Sequence, residues 1–321
     1  MANCNSQSLG TVAITGASGF VGRHLCQELN RSGFTVKGIL RQGSQENDSC
    51  HEISYIRSLD EPEGWEAALQ NCSVVIHCAG IAHKSIDALE AANDFDRVNR
   101  KATIDVAKTA KKMGVKRFVF ISSVGVYGYI PQDRSASESY PCTPREPYAI
   151  SKLNAENQLT EFCQNSNMEL VIIRPPMIYG PYCPGNFAAL TKMVKTRLPI
   201  PLGNIRSTRN YVSIFNLTHF IASVCNPESR ATGIYNVADS EEVSFQETVG
   251  LISEGLSTPN RLFRLPVVLI KLAAKVVGQA NAYYKLAESV RIDSTKARTE
   301  LAWSPPVKPA EGVKGAAKSF L

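Results

Sequence analysis

The segment "PYAISK" places Tyr148 and Lys152 four residues apart, so on a helix the two side chains share one face. A phenol titrates near ~10, too high for a proton acceptor at neutral pH, and a nearby ammonium stabilises the phenolate and lowers that value. Such a pair can move a proton on or off an alcohol oxygen while a hydride moves at the attached carbon. Upstream, "SSVGVYG" offers Ser122 and Ser123 as hydroxyls to orient that oxygen. The chain holds 11 tyrosines, and at this composition chance alone supplies about half a Tyr-x-x-x-Lys per chain. The elements around the pair must therefore decide its meaning.

Those elements alternate. "TVAITGA" reads as a buried strand and "GFVGRHLCQELNRSG" as a helix stopped by Gly33. "FTVKGILR" is a second strand, followed by a variable loop and the helical turn "GWEAALQNC". "SVVIHCAG" is a third strand, residues 99–114 an amphipathic helix and "KRFVFISS" a fourth strand. Residues 148–165 form a long helix that Pro147 opens, and "MELVIIRPP" is a fifth strand. Buried β-branched strands alternating with helices predict an α/β fold, a Rossmann-type doubly wound parallel sheet. The pattern loosens after Pro176. A dinucleotide-binding part is expected over residues 1–176, with a returning segment near 210–238. Residues 177–209 and 239–321 are expected to form a smaller, mostly C-terminal substrate-binding part.

The first turn supports this. "TGASGFVG" sets Gly16, Gly19 and Gly22 between a strand and a helix, with Phe20 and Val21 at the helix start. Gly16 permits a tight turn, Gly19 a close approach of pyrophosphate, and Gly22 close packing of helix on strand. The free N–H groups and dipole of the helix N-terminus attract phosphate. In a doubly wound sheet, ligands bind at the C-terminal strand edge. That is where Ser123 and the start of the Tyr148 helix fall.

Composition sets limits. The 321 residues, 44% hydrophobic and 20% charged, suit one large domain or two intimate ones. Nine cysteines without a C-x-x-C pair argue against a disulfide framework or a zinc site and for a reducing compartment. The polar start "MANCNSQSLG" lacks the apolar core of a signal peptide. No apolar run reaches the length of a membrane span. The nearest, "LPVVLIKLAAKVVG" from Leu265 to Gly278, is interrupted by Lys271 and Lys275 and reads as an amphipathic helix. The net charge of +6 is spread without a basic block, so nucleic acid is a poor partner. A cytoplasmic protein is expected. His77 and His83 have no metal-ligand companions, so no metal is expected, and His77 reads as packed beneath a cofactor.

The G-x-x-G-x-x-G spacing resembles the extended branch of the short-chain dehydrogenase/reductase superfamily, the NAD-dependent epimerase/dehydratase family. The likeness recurs in order at "HCAG", at Asn99 in "DRVNRKAT", at "SSVGVYG", "PYAISK", "RPPMIYGP" and "RSTRNYV". It implies Tyr148 as acid/base, Lys152 as its tuner and ribose ligand, and Ser123 as the substrate-orienting hydroxyl. It also implies cofactor contacts at Ala79 and Asn99. For a nucleotide-sugar substrate it implies Arg209 at the diphosphate and Asn186 at the pocket, with Arg291 and Lys84 as further contacts. Helices over 99–112 and 148–164 resemble those that pair in family homodimers.

Two departures bear on the reaction. Family 4,6-dehydratases carry Asp-Glu after the hydroxyl residue, whereas Val124 and Gly125 stand here, so elimination of water lacks its acid and base. What remains is oxidoreduction at C4 of a UDP-linked hexose or N-acetylhexosamine. The second strand ends at Arg41 rather than at a ribose-binding acid. A guanidinium there suits a 2′-phosphate and favours NADP(H) over NAD(H). Arg41 thus tilts toward an NADPH-dependent 4-ketoreductase of a UDP-4-keto-6-deoxy-N-acetylhexosamine. A UDP-hexose or UDP-N-acetylhexosamine 4-epimerase holding NAD tightly stays open, as do two minor readings, a ketone or aldehyde reductase and a non-catalytic redox-sensing binder.

Overall fold

The computed structural model describes residues 9–61, 63–82, 88–266, 268–270 and 288–321. Strand β1 (Thr11–Thr15) alternates its side chains between two hydrophobic layers. Val12 and Ile14 enter one core, and Ala13 enters the other. Burial on both faces explains why the strands read as unbroken apolar runs rather than as alternating ones. Beside β1 lie β2 (Thr35–Arg41) and β3 (Glu52–Ile56) on one side. On the other lie β4 (Val74–His77), β5 (Arg117–Ile121), β6 (Glu169–Arg174) and β10 (Gly233–Asn236). The seven strands run in the order β10-β6-β5-β4-β1-β2-β3, and all pair in parallel. The order reverses between β1 and β4, and a doubly wound sheet opens its ligand crevice at such a switch point.

Helix α1 (Phe20–Arg31) packs with α7 (Ile214–Cys225) on one face, where Leu25, Leu29, Phe220 and Ile221 meet the sheet. On the other face lie α2 (Trp65–Leu69), α4 (Ala102–Lys112) and α5 (Pro147–Gln164), with Trp65, Ile104, Val106 and Leu159 in the core. Strand β3 falls in the stretch expected to be a loop. It is an edge strand of which only Ile56 is buried, so it lacks the apolar run that marks its neighbours. Helix α3 (Ala88–Phe95) continues through a π-helical turn, Asp96–Lys101, into α4. Such a turn inserts an extra residue and leaves no mark in a 3.6-residue pattern.

The remaining elements build a smaller cluster over the C-terminal edge. Two short ribbons pair β7 (Met177–Tyr179) with β9 (Tyr211–Ser213), and β8 (Thr208–Arg209) with β11 (Val243–Ser244). Helices α6 (Asn186–Lys195), α8 (Phe245–Gly255) and α10 (Pro309–Lys318) pack around Tyr179, Phe187, Val249 and Val313, and α9 (Thr295–Leu301) lies against β10. Most of the run from Leu265 to Gly278 lies outside the described residues. Among those described, no helix is long and apolar enough to cross a membrane.

Candidate active site

The glycine turn fits a phosphate-bearing ligand. Gly16 has φ +70°, and a Cβ there would press within 3.0 Å of the Ala79 backbone. A Cβ on Gly22 would collide with the Gly16 carbonyl, so α1 rests directly on the loop. Gly19 is the N-cap of α1, no side chain caps the helix, and its first turn holds no acid. The first N–H groups and the positive dipole end are thus left to a ligand anion. Phe20 and Val21 line the adjoining cleft.

Ser123 follows β5 and caps the 3-10 turn Val124–Tyr127, its Oγ accepting the Gly125 N–H at 3.1 Å. Its neighbour Ser122 is buried and donates to Glu156. Pro147 opens α5, which carries Tyr148 and Lys152 one turn apart into the same cleft as Ser123. The Tyr148 ring is half-buried and meets Phe95 edge-on at 5.9 Å. Lys152 is buried, donates to the Ile121 carbonyl at 2.8 Å, and stands 4.6 Å from the Phe120 ring centre.

Burial dominates the electrostatics of both groups. Burial pushes Tyr148 up to about 12, with no compensating pull from Lys152. Lys152 is itself lowered to about 8, by burial first, against the pull of Cys78 and Glu156 toward higher values. Burial thus favours the neutral phenol.

A buried ion pair fixes the helix that carries these groups. Arg174 ends β6 and binds Glu156 through Nε at 3.0 and 3.2 Å and through Nη2 at 2.5 Å. The two side chains are 3% and 2% exposed. The guanidinium also lies 4.9 Å from the Tyr127 ring centre. Sequence reasoning passed over both residues because charged side chains usually mark solvent. The available signals were Glu156 one turn beyond Lys152 and an arginine ending a buried apolar strand.

Asn99 lies on the π-helical turn and faces the loop after β4. Its Oδ1 accepts the Ile81 N–H at 2.9 Å, and its Nδ2 donates to the Ile81 carbonyl and to Ser151 Oγ at 3.0 and 3.2 Å. The amide is engaged with the protein on both sides. Ala79 packs against Gly16 of the glycine turn, beside the cleft-lining Cys78 and Gly80.

The cleft measures about 690 Å³ and runs from Phe20 past Ser123, Tyr148 and Lys152 to Met177 and Asn186. Asn186 is the first residue of α6 and is exposed there. Arg209 does not line the cleft but interacts with Glu288, which does. Burial lowers the Arg209 guanidinium, and its Nη2 is buried without a hydrogen-bond partner among the described residues. Arg291 is drawn away by Glu242, at 2.8 Å, and by the Gln132 carbonyl. Arg41 is exposed at the end of β2, outside the cleft lining. Lys84 lies outside the described residues. Among those described, no group of three or more His, Cys, Asp or Glu side chains stands ready to hold a metal ion.

These features describe a doubly wound α/β fold with Ser123, Tyr148 and Lys152 in one cleft. Residues 12–238 match the model of the NAD dependent epimerase/dehydratase family. The chain is 33% identical to a UDP-glucose 4-epimerase of Vibrio cholerae over 97% of this chain and 95% of that protein. It is 27% identical to an Escherichia coli O157:H7 N-acetyl-alpha-D-glucosaminyl-diphospho-ditrans,octacis-undecaprenol 4-epimerase, over 90% of this chain and 86% of the other. The fold matches a Thermus thermophilus UDP-glucose 4-epimerase in complex with NAD, with a TM-score of 0.78 and 24% identity. The match covers 97% of this chain and 98% of that one. The chain belongs to the NAD-dependent epimerase/dehydratase family, enzymes of the extended short-chain dehydrogenase/reductase type.

Proposed function

We propose that the protein transfers a hydride between a nicotinamide dinucleotide and C4 of a UDP-linked hexose or N-acetylhexosamine. The observation that carries this reading is the convergence of Ser123, Tyr148 and Lys152 in one cleft beside an uncapped glycine-turn helix. The helix N-terminus and the glycine turn beside Ala79 fit the pyrophosphate of the dinucleotide, with Lys152 within reach of its ribose. When bound, the dinucleotide supplies the hydride acceptor or donor and, oxidised, a positive charge that favours phenolate. Ser123 orients the C4 oxygen. In reduction Tyr148 gives its proton to that oxygen, and in oxidation it takes one. Val124 and Gly125 provide no second acid and base, which sets this site apart from water elimination.

At the nucleotide end, Arg209 is a desolvated cation whose Nη2 has no partner among the described residues, and a diphosphate would complete it. Replacing Arg209 with Leu is expected to raise KM for the UDP-sugar roughly tenfold to a hundredfold, the worth of one charge-assisted hydrogen bond. The melting temperature of the ligand-free protein should not fall, because the orphaned donor is removed with the charge. A KM equal to the parent's would exclude Arg209 from the diphosphate site.

For the product, the activities of the similar proteins support 4-epimerisation, in which one bound NAD oxidises and re-reduces C4. Arg41 supports a second reading, single-step reduction of a UDP-4-keto sugar by NADPH, because β2 ends on an exposed guanidinium and not on a carboxylate. The spectrum and mass of the dinucleotide released from purified protein separate them. Retained NAD with UDP-hexose interconversion supports the epimerase. Stoichiometric NADPH consumption, with preference for NADPH lost in Arg41→Asp, supports the reductase. We further propose that α4 and α5 pair two copies in a homodimer, to be read by light scattering.

A further inference from the structure

His77 ends β4, is wholly buried, and has no part in the proton transfer proposed above. Its ring lies between Phe118 and Phe120, at 5.9 and 6.2 Å between centres and within 27° and 23° of parallel. Both ring nitrogens are hydrogen-bonded, and the partners fix which carries the proton. Thr103 Oγ1 donates to the Asn99 carbonyl at 2.8 Å, and a carbonyl can only accept. The Thr103 hydroxyl must therefore accept from the ring, at 3.0 Å from Nε2, which places the proton on Nε2. On the other side Thr15 Oγ1 accepts the Ala79 N–H at 3.2 Å and donates to Nδ1 at 3.0 Å. One directed chain results, running Ala79 N–H, Thr15, His77, Thr103, Asn99 C=O.

The two ends of this chain reach the glycine turn and the loop after β4 that lines the cleft. Ala79 abuts Gly16 of the phosphate turn. Asn99 holds Ile81 through both ends of its amide and reaches Ser151, whose hydroxyl donates to the Tyr148 carbonyl at 2.7 Å. We propose that neutral His77, with Thr15 and Thr103, is a positioning residue that sets the glycine turn in register with the helix carrying Tyr148. Lys152 adds a reason for neutrality. Burial, then the nearby Lys152 ammonium, hold the imidazole well below its ordinary value, at about 3. A second proton on the ring would face the Thr15 hydroxyl proton and break the chain.

This inference rests on the proposed dinucleotide chemistry, and the test separates the two. Thr103→Val keeps the shape of the side chain and removes the hydroxyl, and Thr103→Ser keeps the hydroxyl. In purified protein, reduced-dinucleotide binding is read by fluorescence, kcat and KM for the sugar by steady-state kinetics, and folding by thermal melting. We expect Thr103→Val to weaken dinucleotide binding about tenfold, one lost buried hydrogen bond. It should also lower kcat by roughly a hundredfold through misplacement of the reacting groups. The KM for the sugar should be unchanged, and Thr103→Ser should restore both quantities. Nitrogen-detected NMR of the parent should show His77 as the neutral Nε2–H tautomer at pH 6. A Thr103→Val protein that melts lower yet keeps the parent's dinucleotide affinity and kcat would overturn the positioning role. So would a cationic ring, or an Nδ1–H ring, at that pH. A parent that binds no reduced dinucleotide would overturn the proposed function and this inference with it.

Discussion

Tyr148→Phe should abolish turnover while leaving the fold intact, with kcat falling on the order of a thousandfold, the scale of one positioned acid/base group. The reasoning is geometric first. Tyr148 shares the cleft with Ser123 and Lys152, and its ring is fixed by the edge contact with Phe95, which phenylalanine retains. Only the hydroxyl is lost. Burial favours the neutral phenol, the form that donates in the direction of reduction. Dinucleotide affinity and melting temperature should match the parent's, as shown by fluorescence titration and calorimetry. A Phe variant within about threefold of the parent's kcat would remove Tyr148 from the chemistry.

Glu156→Ala should be the most damaging substitution for stability. It leaves the Arg174 guanidinium, 3% exposed, without its carboxylate. Breaking a buried pair by removing one partner costs about 3–5 kcal/mol. Ser122, beside the catalytic-site Ser123, loses its acceptor at the same time. The midpoint of denaturant unfolding reads the loss. Replacing both partners, Glu156→Leu with Arg174→Met, should recover most of it, because the desolvation cost of the ions goes with them. A single variant within about 1 kcal/mol of the parent would show that water reaches the pair.

These two residues also show what the sequence could and could not display. The glycine turn and the placing of Ser123, Tyr148 and Lys152 in one cleft were legible because the elements around them are strongly patterned. Buried parallel strands such as β5 and β6 announce themselves through uninterrupted apolar runs. Glu156, Arg174, Thr15 and Thr103 were not legible. A buried polar residue is stabilised by a partner distant in sequence, and nothing in its own neighbourhood distinguishes it from a solvated one. The edge strand β3 escaped for a related reason, since its burial is confined to Ile56. The π-helical turn that aims Asn99 at Ile81 is a break in helical register, invisible to a periodic pattern. The acceptor of Lys152, the Ile121 carbonyl, was not legible either, because spacing on a helix says nothing of where an ammonium finds its partner. Arg41 shows the converse case. Its place at the strand end was readable, and the structure leaves it exposed there, outside the cleft lining.

The central claim is hydride transfer at sugar C4 through the site of Tyr148. The most direct measurement is a single turnover with a UDP-4-ketohexose and a reduced dinucleotide deuterated at its transferable position, followed by mass spectrometry and NMR of the sugar. The account predicts one deuterium at C4 of the alcohol product, lost in Tyr148→Phe. Product free of deuterium at C4, or labelled at the parent's rate by the Phe variant, would contradict it.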